Sequence, residues 1–185
     1  SAQLSENIFL NAGAAFKKLK SHNSQQLLDL LGGSCFEDID AFYNGDQSQS
    51  DLNNPDRQVG VGDTYGYNYN YFATTLEAFT QFKFTYNKVD FYLAQHFARA
   101  DYQREGLYKN GIYATNSFGK SEKVVFENFG FKAGFNLKIS GKQLVTFNAA
   151  HLTKAPSLRN TFANSRLNNS IVNDLESENT SSLDA

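Results

Sequence analysis

The chain has 185 residues and a net charge of −2, with a pI near 5.9. That is long enough for one domain with a sizeable core, and it leaves no electrostatic case for a nucleic-acid partner. Aromatics reach 15%, with 17 Phe, 10 Tyr and no Trp or Met, yet no apolar run approaches the roughly 20 residues of a transmembrane helix.

Mean hydropathy is −0.49. Soluble proteins and membrane β-barrels share such values, because only every second residue of a barrel strand meets lipid. The single Cys35 excludes an internal disulfide and leaves the redox compartment unread. No signal peptide opens the chain. Both ends fall beside or inside strand patterns, so residues 1–185 are expected to be part of a larger domain.

In chain order, residues 7–18 alternate Ile8, Leu10, Ala12, Ala14 and Phe16 against Phe9, Asn11, Gly13, Ala15 and Lys17, the pattern of a strand. Residues 19–70 form a long polar excursion. Within it Ser24 as N-cap, Leu27, Leu28 and Leu31 at helical spacing and Gly32 as a stop predict a short helix. Residues 71–86 and 89–103 read as a hairpin. A two-residue turn at Asn87-Lys88 places Phe84 by Phe91 and Phe82 by Leu93, so both apolar faces coincide. A loop over 104–123 follows.

The clearest stretch is 124–156. Val125, Phe129, Phe131, Ala133, Phe135, Leu137 and Ile139 share one parity, broken by Glu127; Asn128, Gly130, Lys132, Gly134, Asn136 and Lys138 take the other. A three-residue turn, Ser140-Gly141-Lys142, sets Leu137 by Val145, Phe135 by Phe147 and Ala133 by Ala149. A two-residue turn would mix the faces. A last long loop covers about 157–178, and a further strand begins at the end.

The connections alternate long and short. Outer-membrane barrels have tight periplasmic turns and extended extracellular loops, whereas compact sandwiches keep many connections tight. The fold expected is therefore an all-β antiparallel meander of about six strands, part of a transmembrane barrel. Asn87-Lys88 and Ser140-Gly141-Lys142 would be periplasmic. The alternative is a secreted or surface β-sandwich for glycan binding or adhesion.

Candidate chemistry is sparse. His22, His96 and His151 are scattered without ligand spacing, so no metal is expected. No nucleophile motif or dinucleotide fingerprint appears, and the expectation is a non-enzyme without cofactor. The acidic loop 37–63 approaches a calcium loop at Asp46, but Asp51 stands where Gly belongs and Arg57 where Glu belongs. It reads as a solvated loop. Tyr65, Tyr67, Tyr69 and Tyr71 alternate with Gly66, Asn68 and Asn70, so an extended chain puts the rings on one face. They serve as an interface belt or as a stacking platform for a ligand. Arg104, Tyr108, Lys109, Tyr113, Arg159 and Arg166 fall in the other long loops and would face the same mouth. The candidate ligand-binding set is Tyr65, Tyr67, Tyr69, Arg104, Tyr108, Lys109 and Arg159.

The runs KISGKQLVTFNAAHLTKAPSLRNTF (138–162) and NDLESENTSSLDA (173–185), with YQREGLYKNG, NSFGKSEK, LLDLLGG and DIDAFY, resemble the barrel of TonB-dependent outer-membrane receptors, particularly the Bacteroidetes type. Lys154-Ala155-Pro156 and Leu175-Glu176-Ser177-Glu178 match the family's late hairpin. The resemblance implies a barrel of roughly 22 strands with a plugged lumen in the bacterial outer membrane. It would import a siderophore, cobalamin or glycan with TonB-supplied energy. Implied partners are outer-membrane lipid, the TonB-ExbB-ExbD complex acting through a plug domain absent from this sequence, and a surface lipoprotein.

Overall fold

Alternation becomes strands along most of the chain. The computed structural model describes residues 1–185. It contains β1 (Ala2–Ser5), β2 (Ile8–Gln26), β3 (Phe36–Glu37), β4 (Gln58–Val59), β5 (Thr64–Thr85), β6 (Val89–Gly106), β7 (Gly119–Lys120), β8 (Val124–Ser140), β9 (Gln143–Lys154) and β10 (Glu178–Asp184). A 3₁₀ turn at Gly45–Ser48 and one helical turn, α1 (Leu158–Thr161), complete it. The fold is all-β: one antiparallel sheet in the order β1-β2-β5-β6-β8-β9-β10, with β7 beside β6. The small β3–β4 pair sits in the first long loop.

Both predicted hairpin registers hold. Phe84 faces Phe91 and Phe82 faces Leu93; Ala133 faces Ala149, Phe135 faces Phe147 and Leu137 faces Val145. The second turn differs in form. Ser140 pairs with Gln143, and the register shifts between Lys138 and Ser140. A two-residue turn with a bulge thus gives the register expected of a three-residue one.

The predicted helix after Ser24 is absent. Ser24, Gln25 and Gln26 pair with Asn68, Tyr65 and Thr64, so β2 and β5 run on well past the expected ends. The leucines do not form an apolar stripe: Leu27 is buried, whereas Leu28 and Leu31 are 80% and 93% exposed. Backbone pairing with the polar start of β5 outcompetes a marginal helix with nothing to pack against.

The cross-strand partners sort the sheet into two faces. Ile8, Leu10 and Phe16 on β2 share a face with Leu76, Phe82 and Phe84 on β5 and with Phe91, Leu93 and Phe97 on β6. Phe129, Phe131, Phe135, Val145, Phe147 and Leu183 continue it. Nothing covers this face: Phe16, Leu93 and Phe131 are 67%, 53% and 57% exposed.

The other face is polar. Lys17 reaches Glu77 at 3.6 Å and Lys138 reaches Asp90 at 2.8 Å. Tyr92 pairs across from Gly134, where a Cβ would stand 2.5 Å from the Tyr92 ring.

The upper edge of the unbroken apolar run steps down across the sheet, with Phe72 of β5 and Val125 of β8 standing as isolated apolar residues above it. On β2 the last apolar residue is Phe16, in the row of Leu76; on β6 it is Phe97, in the next row down; on β9 it is Ala149, in the row of Phe82. The edge thus drops six residues, from 76 to 82 in β5 numbering, across the four spacings from β2 to β9. At about 3.3 Å per residue and about 4.8 Å per strand, the slope is about 45°.

Buried residues gather elsewhere. The seven buried hydrophobic residues are outnumbered by thirteen buried polar ones. Most of these lie where the long loops fold onto the upper end of the polar face. The core that exists is a hydrogen-bonded loop layer.

Candidate functional site

Beyond the apolar band, β5 continues upward as Tyr71, Tyr69 and Tyr67. Alternation stacks their rings: Tyr67 to Tyr69 at 6.0 Å, Tyr69 to Tyr71 at 5.1 Å, and Tyr71 to Phe162 of the last loop at 5.5 Å between centroids. Leu158 and Ile171 pack against the ladder. Ser157 caps α1 by accepting from the Asn160 amide, which brings Arg159 and Phe162 over the sheet. The ladder is anchored at Ser165, whose hydroxyl bonds the Tyr71 phenol.

Around this ladder the loop leaves a cleft of about 820 Å³, lined by His22, Asn23, Tyr67, Tyr69, Arg159 and Arg166 among others. The Arg166 guanidinium lies 5.1 Å from the Tyr67 ring centroid, a cation–π distance. Behind Tyr69 and Ser165 sits Arg104, 1% exposed, 5.1 Å from the Tyr69 centroid. It donates to the Ser165 carbonyl at 2.7 Å, the Ser117 carbonyl at 3.0 Å and the Asn169 side-chain oxygen. Burial pulls Arg104 down to about 10, against the pull of Tyr71 and Tyr69, so it stays protonated at neutral pH. Burial pushes the Tyr69 phenol up.

The predicted site residues therefore divide. Tyr67, Tyr69 and Arg159 come together in the cleft. Tyr65 does not join the ladder. Gly66 has a φ of +69° and the strand register shifts there, so Tyr65 packs on Phe36 at 5.3 Å and accepts from Gln25 at 2.6 Å. It lines a neighbouring cleft of about 690 Å³ on the far side of Tyr67 and Arg166.

Arg104 was expected in a loop facing the mouth; it is a strand residue sealed under the loop layer, held by three acceptors. Tyr108 and Lys109 line neither cleft. The Tyr108 hydroxyl accepts from Arg57 at 2.9 Å and donates to the Thr64 carbonyl at 3.0 Å. The Lys109 backbone clamps the first loop, donating to Asp51 and accepting from Leu52. Tyr71, Asn23 and Phe162 enter the site beyond the predicted set. For Tyr71 the parity pattern was the available signal; Phe162 is brought by a fold-back that no local pattern announces.

The acidic loop is consumed by its own turns. Asp38 pairs with Arg57 and accepts from the Gly66 amide. Asp40, Asp51 and Asp63 accept from nearby backbone amides. No group of three metal-ligating side chains is assembled anywhere in the chain. A separate groove of about 540 Å³ lies against Phe82, Leu93, Phe131 and Ala149 and belongs to the apolar band. No helix is long and apolar enough to cross a membrane, which says nothing of strands.

No family model, curated protein or solved structure matches the chain.

Proposed function

We propose that this chain is wall and outer loop layer of a bacterial outer-membrane β-barrel of the TonB-dependent receptor type, which captures and imports a scarce nutrient. The observation that carries the reading is the diagonal, uncovered apolar band. Strands of membrane barrels tilt by about 35–45°, so a lipid slab cuts such a sheet obliquely. A slope of about 45° in the upper edge is what that cut requires.

The band also has the right height. From Leu76 to Tyr86 it runs about 33 Å along the chain at about 3.3 Å per residue. At that tilt it stands about 23 Å tall, near the roughly 25 Å of a barrel's apolar band. Charge returns just above it, where Arg99 pairs with Glu127 at 3.1 Å.

Tight turns close the β5–β6 and β8–β9 hairpins at one end, while 27–63, 107–123 and 155–177 pack together at the other. In this reading the upper end faces outward, and the tyrosine–arginine cleft is where a ligand is held before entry. A sandwich would need a second sheet over the apolar face, and within residues 1–185 the other sheet is the two-residue pairing of β3 and β4.

The test is spin-label accessibility in the membrane-embedded protein. Labels at 135 and 147 should be reached by oxygen and shielded from a water-soluble nickel complex, and labels at 132 and 136 should show the reverse. Water-like behaviour at 135 and 147 would sink the proposal.

A further inference from the structure

We infer that the cleft between β5 and the 155–177 loop takes an organic anion built on a ring, held by Arg159 and Arg166 over the tyrosine ladder. This rests on the reading of the cleft as a capture site and adds the chemistry of what is captured.

The lining contains no carboxylate. Arg159 and Arg166 form no ion pair and no hydrogen bond; the only ion pairs of the chain involve Lys17, Arg57, Arg99 and Lys138. Arg104 lies just behind the wall, buried and satisfied by neutral oxygens alone. Burying a cation without a counter-charge is costly, and an anion seated against Tyr69 and Ser165 would supply one.

The acidic side chains that border the neighbouring cleft are committed elsewhere, Asp38 to Arg57 and Asp40 to the Phe42 amide. Two guanidiniums thus line one cleft, and a third lies buried behind its wall, with no carboxylate in the lining. Guanidinium forks suit carboxylate and phosphate in two-point contacts, and tyrosine offers ring area with a polar tip. A neutral ligand would use the rings and leave the charge unanswered.

The experiment is calorimetric titration of the purified protein with two matched pairs of probes: trigalacturonate against maltotriose, and nicotinate against nicotinamide. Each pair keeps the ring and changes the charge. At least one anionic probe should bind tenfold or more tighter than its neutral partner, and the ratio should fall with added salt. A preference confined to trigalacturonate points to acidic sugars; one confined to nicotinate points to aromatic acids.

The double variant Arg159→Gln/Arg166→Gln should bring the ratio close to one, while Arg99→Gln on the apolar side should leave it unchanged. Equal affinity within both pairs, no binding of either anion, or a ratio that survives the double variant would overturn the inference. Liposome flotation of the same preparations tests the barrel reading separately, because the two glutamines lie outside the apolar band.

Discussion

The Arg104 guanidinium lies 5.1 Å from the centre of the Tyr69 ring, joining the sheet to the loop layer through one buried cation. Its acceptors come from two different loops, Ser117 in one and Ser165 and Asn169 in the other. Tyr69 belongs to the ladder on which the last loop rests.

Replacing Arg104 with Met should therefore release both loops at once. Leaving buried acceptors unpaired costs about 3 kcal/mol in the loop layer. Hydrogen exchange should rise sharply at the Ala163 and Val172 amides, which bond the Ser170 and Thr161 carbonyls, and stay slow across the β8–β9 pairing. Arg104→Lys should not restore protection, because one ammonium cannot reach three divergent acceptors.

The ladder should also set an alkaline limit. Burial raises the Tyr69 phenol, with Tyr71 and Tyr67 adding to the shift and Arg104 and Arg166 opposing it. A phenol that holds its proton more tightly when folded contributes fully below about pH 10. That contribution disappears as pH rises through the raised value. Burial pushes the Tyr102 phenol up as well, so ultraviolet titration should show late-ionising phenols of which one is missing in Tyr69→Phe, with the 155–177 loop loosening in the same window.

On the polar face the Gly134 and Tyr92 pair makes a steric prediction. An added Cβ would stand 2.5 Å from the Tyr92 ring and 2.4 Å from the Asn148 side-chain oxygen. Gly134→Ala should destabilise by about 1–3 kcal/mol through overpacking. Tyr92→Ala should remove the ring's share of that penalty and leave the Asn148 contact, so a double-mutant cycle by denaturant unfolding gives a coupling away from zero.

Much of this architecture was legible because strand parity and turn length overdetermine each other. Phe84–Phe91 and Phe135–Phe147 follow once both faces must agree. The upper half was not legible, because polar contacts between distant segments hold it. Arg104 is satisfied by carbonyls thirteen and sixty-one residues away, and no local pattern encodes that. The leucines after Ser24 misled for a related reason: their spacing is helical, but the segment's start, Ser24 to Gln26, is taken up by pairing with β5. Tyr65 left the ladder because Gly66 takes a positive φ, which an alternating Tyr-Gly-Tyr run does not reveal.

Lipid contact predicts unequal tolerance of charge at adjacent positions. Phe135→Arg, on the apolar face, should cost about 2–4 kcal/mol near mid-membrane. Asn136→Arg, one residue on and facing the polar side, should cost little. Denaturant titration of the refolded protein in lipid vesicles checks both, and equal costs would count against lipid on the Phe135 side.

Orientation can be read with the chain's own thiol. Cys35 is exposed and lies in the first long loop, at the upper end of the sheet with Asn164, whereas Gly141 sits in the turn at the opposite end. A Cβ at Gly141 would meet nothing within 4 Å, so cysteine fits there without disturbing the turn. If the loop layer faces outward, a membrane-impermeant maleimide applied to intact cells should label the wild-type protein at Cys35. Labelling should vanish in Cys35→Ser and return when Asn164→Cys is added. Adding Gly141→Cys instead should restore it only after the outer membrane is permeabilised. Labelling of Gly141→Cys but not Asn164→Cys on sealed cells would invert the orientation and put the tyrosine–arginine cleft on the periplasmic side, where it could not hold a ligand arriving from outside.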